Sequence, residues 1–352
     1  MWRNWLESIR TCNPLPGRPM DPVTKWLVIT RSCVFSMTLI SALLGGLLAA
    51  NDGYFRLGRL ALVAVGLCLA HAANNMVNDL FDTMQGVDTK DYPRANYAPH
   101  PILDNLVSRN GLIAAISLCN LADLAIAIYL TRVAGWPIMA FAVAGLLTSV
   151  FYVAPPLKLK HRGLGEPAIF LIWGPLMIGG SYYALAETLS WGVILASVPY
   201  GLAVTAVLMG KHLDKQEKDR VKGVRTLPVV LGDRRARSLT QLMIWSYYLL
   251  IVALVSFQML PWLALLALIS IPRANRFIQT LAAPPPATPA EAFALAKDVI
   301  PADLRARFDP TAPAESFPLW PLWYVAWGVW WVRIAGGWFV GGLVLAVLLS
   351  WI

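Results

Sequence analysis

Apolar residues in this chain do not alternate with polar ones; they arrive in long continuous blocks. Nine stand out, at about 25–50, 57–81, 110–131, 136–153, 166–186, 191–210, 238–257, 259–278 and 319–350. A helix crosses a bilayer with roughly 20 apolar residues, and most of the blocks approach or exceed that length. In lipid each backbone N–H and C=O needs an internal partner, which an unbroken apolar block finds as a helix. The pattern predicts an all-α integral membrane protein with nine transmembrane helices.

The connections between blocks are unequal. They are short at 51–56, 132–135, 187–190 and around Gln258, and long and polar at 82–109, 154–165, 211–237 and 279–318. With the N-terminus on the cytoplasmic side, the inner segments hold 24 Lys/Arg and the outer ones hold 3. That asymmetry follows the positive-inside rule and fixes the expected orientation, with any function on the elaborated inner face. It also accounts for the net charge of +9, so nucleic acid is not an expected partner. Membrane lipid is, because the chain is 57% hydrophobic and only 14% charged.

Residues 1–24 form a polar lead in which Trp2, Trp5, Leu6 and Ile9 share one helical face, the pattern of a short helix lying on the membrane. Residues 25–352 form the transmembrane domain, with a cytoplasmic insertion at about 279–318. There Thr288, Pro289 and Glu291 spell a capping box that opens a short helix. Cys12, Cys33, Cys68 and Cys119 lie far apart without a CxxC motif and read as small packing residues. The tryptophans, dense from Trp320 to Trp338, read as interfacial anchors.

Against this background the acids are conspicuous. The stretch "NNMVNDLFDTMQGVD", residues 74–88, closes the second block. On a helix Asn75, Asp79 and Asp82 share a face, and Asp88 follows Gly86, where the chain can turn back. A second cluster closes the sixth block in "GKHLDKQEKDRVKGVRTLPVVLG", residues 210–232, with Asp214, Glu217 and Asp219. The clusters sit four helices apart, so the chain reads as two four-helix halves plus one extra leading helix. Oxygen ligands without Cys or His suit Mg²⁺. Lys158, Lys160, Arg162, Lys211, Lys215, Lys222 and Arg225 surround the acids and suit phosphate oxygens. Metal-binding acids, phosphate-binding cations and a membrane position together describe an isoprenyl diphosphate. Asn120 and Asp123, inside the third block, are candidates to touch a hydrophobic acceptor or else bond within the bundle. His71 and His161 have no partner at useful spacing.

"NDLFDTMQGVDT" resembles the first aspartate-rich motif of the UbiA family of intramembrane prenyltransferases, in its dihydroxynaphthoate (menaquinone-type) branch. "DRVKGVRTLPVVLG" is similar to the close of the second motif, and "YVAPPLKLKHRGLGE" to the Tyr/Lys connection. The resemblance, over residues 25–280, implies nine helices around a central cavity and Mg²⁺ between both motifs and a diphosphate. It implies metal ligands at Asp79, Asp82, Asp88 and Asp219, catalytic roles for Tyr152 and Lys158, and an arginine of the first helix at Arg31. Asn75, Asn78, Lys211, Lys215, Lys222 and Arg225 complete the expected diphosphate site. Three places depart from the pattern. Lys215 stands where the second motif opens with an acid, leaving Asp214 or Glu217 to serve. Lys211 and His212 replace paired asparagines, and His100 replaces an arginine. The implied activity is Mg²⁺-dependent transfer of a polyprenyl group to an aromatic, quinone-precursor-like acceptor, in a bacterial inner membrane. A lipid-forming prenyltransferase or a terpene cyclase on the same scaffold is the alternative, and a transporter or assembly factor the non-enzyme one.

Overall fold

The computed structural model describes residues 1–300, 302–305 and 322–350. All of these fold as helix or connection, with one isolated bridge between Arg162 and Arg225 and no strand among the described residues. The helices in chain order are α1 (Trp2–Thr11), α2 (Pro22–Ile29), α3 (Phe35–Asn51), α4 (Leu57–Met84), α5 (Pro93–Tyr97), α6 (Arg109–Ala134) and α7 (Pro137–Val153). After them come α8 (Gly165–Leu171), α9 (Met177–Ala186), α10 (Trp191–Asp214), α11 (Gln216–Val221), α12 (Leu227–Leu231) and α13 (Asp233–Ser256). The chain ends with α14 (Ile271–Ala282), α15 (Pro289–Ala296), α16 (Ala302–Arg305) and α17 (Tyr324–Ser350).

Seven segments are long and apolar enough to cross a membrane: Ser32–Asn51, Leu57–Met84, Arg109–Ala134, Gly165–Ala186, Trp191–Asp214, Asp233–Ser256 and Tyr324–Ser350. Two predicted spans are less regular. α7 has only 17 residues, and the block at 259–278 starts as a 3₁₀ helix, Trp262–Ser270, before α14. The first block also differs from expectation, because it is not one helix. Asp21 caps α2, its carboxylate accepting from the N–H groups of Val23 and Thr24, and α2 ends at Ile29. Arg31 then takes a left-handed backbone conformation, and Ser32–Val34 make a 3₁₀ turn into α3. Residues 319–321 of the last block lie outside the described residues, as do Pro301, 306–318 of the insertion, and Trp320.

Helix α3 packs against α9 and α17, α4 against α6, and α10 against α13 and α17. Small residues permit these approaches: a Cβ on Gly45 would strike the Ile178 carbonyl of α9, and one on Gly342 the Leu263 carbonyl. Between α8 and α9 a π turn, Ile172–Leu176, carries Pro175, which has no N–H to give to an α ladder. On the outside, Leu118 and Leu121 of α6 are 70% and 63% exposed, an apolar face fit for lipid. In the insertion, Thr288 caps α15 as expected, accepting from the Glu291 N–H at 3.2 Å.

The N-terminal lead is tied down rather than free. Trp5 Nε1 donates to Asp21 at 2.8 Å, and Cys12 and Cys33 form a disulfide that holds the end of α1 to the start of α3. This corrects the reading of those two cysteines as packing residues. Their 21-residue separation carries no spacing signal; the return of α1 toward the broken first block brings them together. Cys68 and Cys119 are free thiols.

Candidate active site

Helix α4 is continuous through its acids, so Asp79 and Asp82 stay on one face as the spacing predicts. After Met84 the chain closes with Gly86 at φ 70°, a conformation that suits glycine. The N–H groups of Val87 and Asp88 both donate to the Asp82 carbonyl, at 2.8 and 3.1 Å, which turns Asp88 back over the helix end. The second cluster closes the same way. Gly223 sits at φ 71°, and the Val224 N–H donates to the Asp219 carbonyl at 2.8 Å. Val87 and Val224, the residues after the two glycines, pack in one small cluster with Tyr92. The two turns therefore face each other and set Asp82 and Asp219 in equivalent places.

These elements border a cavity of about 380 Å³ that runs from the acids down between α3, α4, α10 and α17. Asp82, Asp88, Asn75, Asn78, Tyr152 and Lys211 line it, and Lys215 with them. Asp79 lies just behind, fully buried. Arg94 donates to it in bidentate fashion, Nε to Oδ1 at 3.0 Å and Nη2 to Oδ2 at 2.9 Å. Arg31 also pairs with Asp79, aimed there by the break in the first block. The free carbonyl of Thr30 at that break accepts from Asn75 Nδ2 at 2.9 Å. Two buried guanidiniums hold Asp79, with two donors on Oδ1 and one on Oδ2.

His100 is fully buried beside this pair. Its Nδ1 accepts from the N–H groups of Ile102 and Leu103, which assigns the ring proton to Nε2 and directs it to Asp88 Oδ2 at 3.2 Å. Asp79, Asp88 and His100 lie close enough together to hold a metal. Hydrogen bonds already engage both nitrogens of His100, while the Asp88 carboxylate and Asp79 Oδ2, which accepts from Arg94 alone, keep acceptor capacity. Arg94, from the short helix α5 ahead of position 100, supplies a guanidinium at this place.

Lysines hold the two open acids. Lys160 Nζ donates to Asp82 Oδ2 at 2.6 Å, while Asp82 Oδ1 is buried with no partner among the described residues. Tyr92 donates its hydroxyl to Asp219 Oδ1 and accepts from Lys215 Nζ at 2.8 Å. Asp219 Oδ2 is likewise buried and unpartnered, as is Asn78 Oδ1. Burial would raise the Asp219 carboxyl, but the ammonium of Lys215, with His212 and Lys160, outweighs it and holds the group below the ordinary carboxylate value. Burial acts against charge on Lys160 and Lys215 too, yet Asp82 and Asp219 respectively keep them ionised above the usual lysine range. Burial pushes the Tyr92 phenol well up, with Asp219 adding to it. Tyr97 goes the other way: burial would raise it, but Arg31, Lys211 and Arg94 bring it to about 8.

The donor set fits a divalent cation. Asp82 and Asp219, one from each half of the chain, each keep a buried carboxylate oxygen without a hydrogen, and Asp88 lines the same cavity as Asp82. Hard oxygen donors of this kind suit Mg²⁺, with substrate phosphates completing its shell.

Several predicted residues are placed elsewhere. Asp214 caps α17 instead of facing the cavity: its carboxylate accepts from the N–H groups of Tyr324 at 2.8 Å and Val325 at 3.0 Å. Glu217 has a side chain 76% exposed and pairs with Arg220 at 2.9 Å. Neither is positioned as a ligand, because α10 stops at Asp214 and the restart at Gln216 swings Glu217 outward and Asp219 inward. Lys158 is only half-buried in a left-handed conformation, and the 3₁₀ turn after it, Leu159–His161, points Lys160 at Asp82 instead. Lys222 ties the two turns together through the Gly86 carbonyl at 3.1 Å and Thr89 Oγ1 at 3.3 Å. Arg225 and Arg162 are exposed. His212 donates to or accepts from the buried Glu166 at 2.6 Å, bracing α10 against α8.

Asn120 and Asp123 face a separate side cavity of about 150 Å³ between α4, α6, α7 and α9. His71, Asn74 and Trp173 border both cavities. His71 is not isolated either, since its Nδ1 lies 2.7 Å from Thr38 Oγ1. The sequence reading missed Tyr92 and Arg94, and named Lys160 only among the cations around the acids. Tyr92 and Arg94 sit at the cap and in the first turn of the five-residue α5, too short to show a period, and Lys160 is two positions from the residue a motif comparison selects.

The UbiA prenyltransferase family model matches residues 38–297. The chain is 25% identical over 263 residues to a 2-carboxy-1,4-naphthoquinone phytyltransferase of Synechocystis, covering 73% of this chain and 83% of the relative. It is 28% identical over 221 residues to the 1,4-dihydroxy-2-naphthoate octaprenyltransferase of Escherichia coli, covering 60% and 70%. Its fold matches a UbiA homolog from Archaeoglobus fulgidus solved with GPP and Mg²⁺, with TM-score 0.54 and 14% identity over 92% of this chain and 99% of that one. With the matched segment holding both acid turns and the Tyr/Lys connection, this chain belongs to the UbiA prenyltransferase family.

Proposed function

We propose that this prenyltransferase moves a polyprenyl group from an isoprenyl diphosphate to a carboxylated, electron-rich aromatic ring, with Mg²⁺ at the mouth of the cavity. The observation that carries the reading is the pair of buried, unpartnered carboxylate oxygens, Asp82 Oδ1 on the cavity wall and Asp219 Oδ2 on the acid bonded to the cavity-lining Tyr92 and Lys215. The two relatives named for naphthoquinone and naphthoate substrates support the acceptor class.

When bound, Mg²⁺ supplies charge that stabilises a departing diphosphate. Asp82, Asp88 and Asp219 would hold it. Lys160, Lys215 and Lys211 face the same space and add fixed positive charge where the leaving group gathers its negative charge, favouring heterolysis of the allylic C–O bond. Tyr92 locks Asp219 and Lys215 to each other. The apolar walls below the acids keep water from the resulting carbocation until an acceptor carbon takes it and loses a proton. In this reading the chain crosses the bilayer nine times, α7 and the Trp262–Ala282 segment joining the seven long spans. Its acidic end and N-terminus face the cytoplasm, an orientation that the Lys/Arg asymmetry supports. Residues 25–352 act as one transmembrane domain behind the interfacial lead.

The test is product analysis. Purified protein receives Mg²⁺, prenyl diphosphates of several lengths and a panel of acceptors, and products are read by mass spectrometry. Prenylated naphthoate-derived products are expected. A prenylated glycerol phosphate, a cyclised hydrocarbon formed without acceptor, or no consumption of diphosphate would overturn the proposal.

A further inference from the structure

Most of the cations around the cavity are answered by an acid: Arg31 and Arg94 by Asp79, Lys160 by Asp82, and Lys215 by Asp219. Lys211 and Arg333 line the same cavity with no carboxylate within ion-pair distance among the described residues. Lys211 lies one turn from the end of α10, at the level of the acids. Arg333 lies deeper. It is nine residues past Tyr324 on α17, and at about 1.5 Å per residue it stands ~14 Å below the acidic end. A permanent cation at that depth is costly unless something uses it.

Its surroundings define what could. The guanidinium is fixed on one side by the broken first block, where Nη2 donates to the Cys33 carbonyl and Nε to Ser36 Oγ at 3.2 Å. Arginine presents five N–H groups in a planar fork, so this bracing leaves donors free toward the cavity. The walls beside it are apolar and aromatic: Val34, Met37, Val329, Trp330 and Trp173. An apolar and aromatic cavity that holds a braced guanidinium together with the acids and lysines of the diphosphate site matches an arene that carries a carboxylate.

We propose that Arg333 binds the carboxylate of the aromatic acceptor and so selects arenecarboxylic acids over neutral arenes. The proposal rests on the prenyl-transfer reading above and adds the group that chooses the acceptor. It assigns no chemical step to Arg333, which acts by holding the ring against the allylic carbon. Trp173 and His71 meet edge to face, with ring centroids 5.2 Å apart, and line the same cavity.

Calorimetric titration of the full-length protein in detergent tests this with three probes: 1,4-dihydroxy-2-naphthoate, its neutral carboxamide, and geranyl diphosphate with Mg²⁺. The wild-type protein is expected to bind the carboxylate at least about tenfold more tightly than the carboxamide, the range of a charge-assisted hydrogen bond. Arg333→Met should erase that gap by weakening carboxylate binding about tenfold to a hundredfold, leaving carboxamide and geranyl diphosphate binding unchanged. Arg333→Lys should restore part of the preference, and Ser36→Ala, which removes a brace and no charge, should keep most of it. Equal weakening of carboxylate and carboxamide in Arg333→Met would show that the residue only braces Cys33 and Ser36, and would overturn the proposal. If Arg333→Met fails to fold, an Arg333→Lys protein with an undiminished preference still supports the proposal, and one with none overturns it. A wild-type protein that binds geranyl diphosphate but shows no preference for the carboxylate defeats this inference alone. One that fails to bind geranyl diphosphate defeats the functional reading and this inference with it.

Discussion

The chain makes the same turn twice at the acidic end, after Asp82 in "DTMQGV" and after Asp219 in "DRVKGV", and the residues ahead of each turn differ. Superposing the two turns by sequence sets Asn75 on His212, Asn78 on Lys215 and Asp79 on Gln216. In the first half the helix runs unbroken into the turn, and Asp79 is spent on Arg31 and Arg94. In the second half the helix breaks at Lys215, Gln216 donates to the Pro228 carbonyl at 2.6 Å, and Lys215 reaches Tyr92 and Asp219. Each half therefore contributes one open carboxylate. What surrounds that carboxylate is an acid holding arginines on one side and a lysine on the other. The contrast explains how a lysine is tolerated where the family's second motif opens with an acid: the position faces Asp219 and Tyr92, where a cation is the better partner.

Breaking the first half should cost most. Asp79→Ala strands two buried guanidiniums, and the loss of a buried pair's partner costs about 3–5 kcal/mol. Thermal unfolding in detergent should show a large drop, accompanied by loss of turnover. Lys215→Ala comes next. It removes one cation from the second half while Lys160 remains, so KM for the prenyl diphosphate should rise about tenfold with smaller change in stability. Steady-state kinetics against diphosphate concentration checks this, and an unchanged KM would separate Lys215 from the diphosphate.

The smallest effects sharpen the contrast within the second cluster. Asp214→Ala removes a cap from α17 and should cost about 1 kcal/mol of stability while leaving turnover per folded molecule near normal. Glu217→Ala removes an exposed pair with Arg220 and should change stability by less than ~0.5 kcal/mol, with turnover unchanged. Turnover measured beside unfolding midpoints decides both. A collapse of activity in either stably folded variant would return that acid to the metal site.

The parts of this arrangement that hydropathy and helical period control were readable in advance. The apolar blocks, the shared face of Asn75, Asp79 and Asp82, and the turn at Gly86 follow from those patterns. What was not readable depended on breaks inside apolar or polar runs. Nothing in 25–50 marks the left-handed Arg31 that aims its side chain at Asp79, because the apolar run continues past it. The restart of the helix at Gln216 decides that Asp219 enters the site while Asp214 and Glu217 leave it, and a straight-helix projection could not show that. Lys160 displaces Lys158 through a single 3₁₀ turn. Tyr92 and Arg94 belong to the short α5 and its cap, whose placement is set by what they meet, Val87 and Val224 for Tyr92 and Asp79 for Arg94.

The central claim is that Asp82 and Asp219, one from each half, act as a single site. Its most direct test is a double-mutant cycle in Mg²⁺-dependent prenyl transfer, using Asp82→Asn, Asp219→Asn and the combined variant, each confirmed folded. Groups that act as a unit are strongly non-additive. Each single change should therefore lower kcat/KM by at least about a hundredfold, and the double variant should fall little further. Losses that multiply in the double variant, or near-normal turnover in either single one, would contradict the claim.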